Sequence, residues 1–367
     1  MKVTIAGGGT AGHVFPALAV GRELAERGVD VDFVGTAAGP EGRFVRDAGF
    51  PFREAEAVAV AGRGPLHKAA VPWRLYRAIN SCLPLVESSD VVVGMGGYVS
   101  VPAVAAAVRL RRPVVLHEQN SVPGLANRWL ARPARVVAVS FAETARSFPR
   151  RVRTEVTGNP VREEIAAVRD QRAILAKEAL RELDLEEGRR TLLIFGGSQG
   201  ARRINAAAAG AIARLRDRSD LQIVFAAGQK NLDDVRAALP ATDGLIVRLF
   251  PFLERMDLAL AAADLAVCRS GATTVAEITC CGVPAVLVPY PHHKDRQQEL
   301  NARILQRDGA AVMLSDEDLT AEVLASRVTD LLADEKRLQT MGARAELLGR
   351  PDAAAALAGL IERQAAA

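Results

Sequence analysis

The sequence predicts an α/β protein made of two Rossmann-like parallel-sheet domains, and three observations carry that prediction. A β-rich run, Lys2–Ala6 (KVTIA), ends in the glycine loop GGGTAGH and passes into PALAVGRELAERG, whose apolar residues recur at helical period. The same order of strand, glycine loop and helix returns at Arg190–Phe195 (RTLLIF), GGSQGA and INAAAAGAIARLRD. Continuous apolar runs separated by helical stretches follow each loop, as expected of strands covered on both faces of a parallel sheet.

Taken in order, the first half offers VDFVG at 31–35, VVVGMGG at 91–97, PVVLHEQ at 113–119 and VVAVS at 136–140. The second half offers LQIVFAAG, LIVRLF, LAVCRSG and PAVLVPY. A chain of 367 residues suits two domains of roughly 100–200 residues each. The turn-forming Gly-Asn-Pro of TGNPVR at 157–162 follows a strand and marks the boundary, giving a first domain at 1–160 and a second at 161–344.

Composition narrows the function classes. Hydrophobic residues at 49% and charged residues at 25% describe an ordinary globular chain and exclude a disordered or collagen-like one. The net charge of +4 is too small to demand a nucleic-acid partner. Its distribution is uneven: residues 1–160 carry a net +7 and residues 161–367 a net −3, so the first domain is expected to face an anionic surface. Cys82, Cys268, Cys280 and Cys281 form no CxxC pair, which argues against a disulfide framework or zinc site and for a reducing compartment. Cys280 and Cys281 read as packed core thiols. The start, MKVTIAGGG, lacks the ~7–15-residue apolar stretch of a signal peptide. No run reaches the ~18 apolar residues of a membrane span, so a cytosolic chain that meets a membrane only at its surface is expected.

The loops carry the chemistry. Gly7, Gly9 and Gly12 fit the GxGxxG pattern of dinucleotide-binding folds. A nicotinamide site also needs an acid at the end of the second strand, where this chain reads Thr36-Ala37-Ala38, and that reading is set aside. His13 adds an imidazole at the mouth of the loop. Asp30-Val31-Asp32 imitates a metal-binding pair but falls at the strand's entry, where solvated carboxylates are common. The run Asp316-Glu317-Asp318 after Ser315 reads as a helix cap and first turn. Neither is taken as a metal site.

The stretch CRSGATTVAE at 268–277 is the most informative. Ser270-Gly271-Ala272 opens a helix whose free N–H groups suit a phosphate, with the hydroxyls of Thr273 and Thr274 beside it. Glu277, one turn deeper, suits a ribose diol, and the spacing fits a nucleoside diphosphate. Further on, HHKDRQQELNA places Asp295, Gln297 and Gln298 after a strand, with amides suited to sugar hydroxyls.

These residues resemble the MurG family of UDP-N-acetylglucosaminyltransferases of peptidoglycan synthesis. The matching motifs are GGTAGHVFPALA at 8–19, GGYVSVP at 96–102, HEQNSVPGLAN at 117–127, TGNPVR, GGSQGA, CRSGATTVAE and HKDRQQ at 293–298, in family order. The resemblance implies a GT-B fold with the substrate cleft between two Rossmann-like domains, and a last helix, about 345–367, that packs back on the first. It implies transfer of N-acetylglucosamine from UDP-GlcNAc to the C4 hydroxyl of the muramyl sugar of lipid I, with inversion and no metal or other cofactor. Another GT-B acceptor is the rival reading, and an NAD(P)-dependent oxidoreductase a more distant one.

Carried across by motif, the substrate-binding residues would be Thr10, Ala11 and Gly12 of the first loop, Asn120 of HEQN, Arg162 of TGNPVR and Ser198 of GGSQGA. Leu253 of FPFLERM, the helix start from Ala272 through Thr273, Thr274, Val275 and Ala276 to Glu277, and Gln298 complete the set. His13 is the candidate base or acceptor-orienting group, with Glu118 second. Two departures stand out: Thr273 occupies a position often apolar in the family, and His292-His293 has one histidine more than usual. A lipid-linked acceptor further implies docking on the anionic inner leaflet, at the cytoplasmic face of the cell membrane, and partners among cell-wall and division proteins. The acid-free segment 57–86, with Arg63, Lys68, Arg74 and Arg77 among Leu66, Val71, Trp73, Leu75 and Tyr76, is the expected docking surface.

Overall fold

The structure, a computed structural model, describes residues 1–9, 11–36, 41–56, 65–197, 200–292 and 295–366, with the backbone alone at residue 11 and residues 65–70. The chain divides into two compact units, Met1–Arg162 with Asp352–Ala367, and Glu163–Pro351.

The first unit runs β1 (Lys2–Ala6), α1 (Ala11–Glu26), β2 (Asp30–Gly35), α2 (Glu41–Asp47), β3 (Phe52–Glu54), α3 (Pro65–Val86), β4 (Val91–Gly94), α4 (Gly97–Arg109), β5 (Val114–Glu118), α5 (Leu125–Leu130), β6 (Val136–Val139) and β7 (Thr154–Val156). Among the described residues its sheet has seven strands, all parallel, in the order β3-β2-β1-β4-β5-β6-β7. The central strands β4, β5 and β6 are buried along their whole length, which is why their sequences are unbroken apolar runs rather than alternating ones.

The second unit runs α6 (Glu163–Glu182), β8 (Arg190–Phe195), α7 (Arg202–Leu215), β9 (Leu221–Ala226), α8 (Leu232–Ala238), β10 (Ile246–Phe250), α9 (Met256–Ala262), β11 (Leu265–Cys268), α10 (Ala272–Cys280), β12 (Ala285–Leu287), α11 (Gln297–Arg307), β13 (Ala311–Met313), α12 (Ala321–Ala333) and α13 (Glu335–Leu348). Its described residues form six parallel strands in the order β10-β9-β8-β11-β12-β13. The last helix, α14 (Ala353–Ala365), returns to the first unit, while α13 stays with the second against α10. Leu357, Leu360 and Ile361 of α14 are fully buried with Val3, Ile5 and Val14, and Arg27 pairs with Glu362 at 3.0 Å. Burying those three side chains contributes at most about 5–9 kcal/mol.

In both sheets the strand order reverses once, between β1 and β4 and between β8 and β11. Doubly wound sheets bind ligands outside the carboxyl ends of the strands at such a point. Ala6 stands opposite Gly94 and Phe195 opposite Cys268, so each glycine loop leaves its sheet beside a second loop.

Two expectations need correction. Asp32 is not a solvated strand-entry acid: it is 3% exposed and held by Lys2 and Arg53, each at 3.0 Å, while Asp30 stays exposed. Residues 316–318 do not open a helix. They form a turn in which Asp316 is buried, and α12 begins only after its cap Thr320, whose side chain accepts from Val323 N.

Candidate active site

At the switch point of the first unit, Gly97 has φ +75°, and a Cβ there would stand 3.2 Å from the Gly8 carbonyl oxygen and 3.3 Å from His13 Cδ2. Only glycine lets the start of α4 approach His13 so closely. His13, on the first turn of α1, is half-buried. Burial disfavours its imidazolium more than the adjacent Gln119 side chain favours it, so its pKa lies below the ordinary 6.5 and the ring is neutral at pH 7. Gly12 is half-buried beside it, residue 11 is described by its backbone, and Thr10 lies outside the described residues.

Glu118 closes β5 and is buried. Its Oε1 accepts from Asn120 N at 3.0 Å, and its Oε2 accepts from Gly124 N at 3.0 Å and Asn127 Nδ2 at 2.8 Å. Burial raises its pKa more than these bonds lower it. The carboxylate is thus the internal frame of the loop that presents Asn120, whose carbonyl also accepts from Thr144 Oγ1 at 3.1 Å. Buried His117 bonds the Gly158 carbonyl through Nε2 at 3.0 Å and so joins HEQN to TGNP. Burial pushes its pKa down to about 4, so this ring is neutral too. Arg162 sets its guanidinium 5.3 Å over the ring of Phe15, two residues beyond His13.

The second unit assembles its site at two helix starts. Gly271 caps α10 with no side-chain bond, and the first turn holds no acid, so its N–H groups favour an anion. Ala272, Thr273, Thr274 and Ala276 are half-buried, whereas the side chain of Val275 enters the core, leaving only its backbone for a ligand. Glu277 is 8% exposed, a carboxylate held in a low-dielectric setting. Leu253 likewise has a buried side chain and offers backbone alone. Ser270 Oγ donates to Gln298 O at 2.8 Å, and Tyr290 N donates to Gln298 Oε1 at 2.9 Å, which stitches the start of α11 to that of α10. Gln297 is half-buried in the same first turn. Ser198 and His293 lie outside the described residues.

Sequence reasoning missed two framing carboxylates. Asp316 receives Arg269 Nη1 at 2.6 Å and Arg203 Nε at 2.8 Å, and Arg269 also donates to the Val288 and Pro289 carbonyls at 3.1 Å, locking the loops around α10 and α11. Nothing local distinguishes Asp316 from its exposed neighbours. Glu41, the first residue of α2, is buried against the glycine loop; it stands five positions beyond Thr36 and was outside the place where a strand-end acid is sought. Among the described residues, no cluster of His, Cys, Asp and Glu has the arrangement to hold a metal ion. The four cysteines are buried thiols, none of them in a disulfide.

Residues 3–139 match the model of the glycosyltransferase family 28 N-terminal domain, and residues 191–357 that of the family's C-terminal domain. The UDP-N-acetylglucosamine--N-acetylmuramyl-(pentapeptide) pyrophosphoryl-undecaprenol N-acetylglucosamine transferase of Halothermothrix orenii is 37% identical, with 99% of this chain and 98% of that one covered. The enzyme of the same name from Mycobacterium sp. strain JLS is 43% identical, covering 96% and 93%. The crystal structure of Acinetobacter baumannii MurG superposes with a TM-score of 0.79 at 33% identity, covering 99% of both chains.

Two Rossmann-like parallel-sheet units, each with a glycine loop at its switch point, have the architecture of the GT-B class, and the two family matches make the protein a glycosyltransferase of that class. The chain belongs to glycosyltransferase family 28 and, within it, to the MurG family.

Proposed function

We propose that this chain transfers N-acetylglucosamine from UDP-GlcNAc to the C4 hydroxyl of the N-acetylmuramyl sugar of lipid I, forming lipid II in peptidoglycan synthesis. The observation that carries this reading is identity over nearly the whole chain to enzymes of that name. The site chemistry supports it from both units.

UDP is assigned to the second unit. The diphosphate takes the N–H groups at Ala272, Thr273 and Thr274, where the helix dipole is equivalent to roughly half a positive charge. Glu277 accepts the ribose hydroxyls, Gln297 and Gln298 meet the sugar, and Val275, Ala276 and Leu253 contribute backbone. Ser198 and Arg162 share the charge that develops on departing UDP. Thr10, Ala11, Gly12 and Asn120 complete the substrate-binding set on the first unit.

The acceptor's C4 oxygen attacks C1 of the sugar, the bond from C1 to the phosphate oxygen breaks with inversion, and the hydroxyl proton passes to neutral His13. A positioned base of this kind is worth ~10²–10⁴ in rate. Glu118, with both oxygens engaged inside its loop, acts in this reading as a frame. The nicotinamide alternative is further weakened because the Glu41 carboxylate already accepts the Gly9 N–H of the first glycine loop.

A lipid-anchored acceptor requires the enzyme to work at a membrane surface, assigned to the cytoplasmic face. Among the described residues, no helix is long and apolar enough to cross a membrane. On α3, Trp73 and Tyr76 are 64% and 52% exposed and stack at 5.9 Å, next to Arg74 and Arg77. Leu75 is half-buried, the side chains of Leu66 and Lys68 are not described, and Arg63 lies outside the described residues.

The test is incubation with UDP-GlcNAc and a short-chain lipid I analogue. A disaccharide product with one UDP released per sugar is expected. UDP release that ignores the muramyl acceptor but responds to another lipid or small molecule would favour the rival GT-B reading.

A further inference from the structure

Two buried polar atoms at the switch point of the first unit lack an assigned partner, and they lie together. His13 Nδ1 and Gln119 Oε1 are each enclosed, with no other hydrogen-bond partner among the described residues. The Gln119 side chain is the polar group beside the imidazole. A Cβ built at Gly96 would lie 3.5 Å from Gln119 Oε1 and 3.5 Å from His13 Cε1, so both groups border one small space.

The orientation of Gln119 is set from behind. Its Nε2 donates to the Met95 carbonyl at 2.7 Å, and Met95 N is itself bonded to Ala6 O at 2.8 Å, which anchors the amide on the paired ends of β1 and β4. A carboxamide nitrogen used in this way turns its oxygen elsewhere, and that oxygen can only accept. The other ring nitrogen, Nε2, borders Gly97, where a Cβ would stand 3.5 Å away.

We propose that Gln119 is a positioning residue whose Oε1 accepts the Nδ1–H of neutral His13, fixing the tautomer that leaves the Nε2 lone pair free to take a proton. The pairing satisfies both buried atoms at once. The opposite tautomer sets the Nδ1 lone pair against those of Oε1 and leaves both unsatisfied. Being uncharged, a glutamine orients the ring without stabilising the imidazolium as a carboxylate would. The functional part of this proposal rests on the reading of His13 as the proton acceptor.

The test is long-range ¹H–¹⁵N correlation near neutral pH on protein labelled with ¹⁵N-histidine, with the His13 signals identified by their loss in His13→Asn. Expected are a protonated Nδ1 and a bare Nε2 in the parent, and a mixture of tautomers in Gln119→Leu. That variant should lose about 10–100-fold in kcat, within the range of a misdirected general base, with the KM for UDP-GlcNAc within about twofold of the parent's. Gln119→Glu, which restores an acceptor oxygen, should recover the Nδ1–H tautomer. A parent with its proton on Nε2, or an unchanged tautomer ratio in folded Gln119→Leu, overturns the proposal even where His13→Ala is inactive. An active His13→Ala beside an Nδ1–H parent removes the base reading and leaves the pairing standing. Should Gln119→Leu not fold, the parent spectrum decides alone.

Discussion

Gly9 N donates to Glu41 Oε2 at 3.1 Å, while Glu41 Oε1 receives the N–H of Thr36 at 3.0 Å and its hydroxyl at 2.6 Å. A loop of glycines at a helix start is a natural anion site. Here the protein supplies an anion of its own, so Gly9 N is engaged within the unit rather than left for a dinucleotide.

Replacing Glu41 by Gln should therefore destabilise the fold, because the amide NH2 must face either Gly9 N or the two donors of Thr36. The loss expected for a charge-assisted bond is ~1.5–3 kcal/mol. Burial alone would raise the Glu41 pKa, but the bonds from Thr36 and the backbone outweigh it and hold the carboxyl below its ordinary value. A carboxyl depressed in the fold contributes stability that is full above its unfolded pKa of about 4.3 and lost as pH falls through the folded value. The gap in Tm between parent and Glu41→Gln should thus be wide at pH 7 and narrow on acidification below pH 4. A gap independent of pH would contradict the assignment.

The sequence made the parallel strands legible wherever they are central, since burial on both faces leaves an unmistakable apolar run. The edge strands β3 and β13, three residues each, were not legible, because so short a segment exposed on one side carries no period. The start of α10, proposed here for UDP, was marked in the sequence by its glycine, hydroxyls and acid in fixed spacing. The side chains that hold it, Arg269 with Asp316, were not: a buried ion pair joins residues far apart in the chain and looks locally like any surface arginine and aspartate. Gln119 lay inside a recognised motif, but nothing local in the sequence marks its buried oxygen as a neighbour of His13.

Glu277→Ala should weaken UDP binding by ~1.5–3 kcal/mol, the loss of a charge-assisted hydrogen bond to the ribose. Calorimetric titration with UDP reads this directly. Unchanged affinity in a variant that melts like the parent would move the ribose contact elsewhere.

Sedimentation with phosphatidylglycerol vesicles should carry the parent down at low salt and release it as salt rises, since each basic residue near such a surface adds ~1 kcal/mol within a Debye length of ~10 Å at 0.1 M. A variant with Glu at positions 68, 74 and 77 should remain in the supernatant. Trp73→Ser with Tyr76→Ser should weaken binding at all salt concentrations, because it removes the exposed apolar pair. Equal sedimentation of all three proteins would place the docking surface outside α3.

In the proposed division of labour, proton removal belongs to the first unit and UDP to the second, and His13→Ala separates the two. Turnover of UDP-GlcNAc and a lipid I analogue should be measured beside calorimetric UDP affinity on the same preparation. A loss of ~10²-fold or more in kcat with UDP affinity unchanged is expected. Turnover within a few-fold of the parent, or a fall in UDP affinity that accounts for the lost activity, would contradict it.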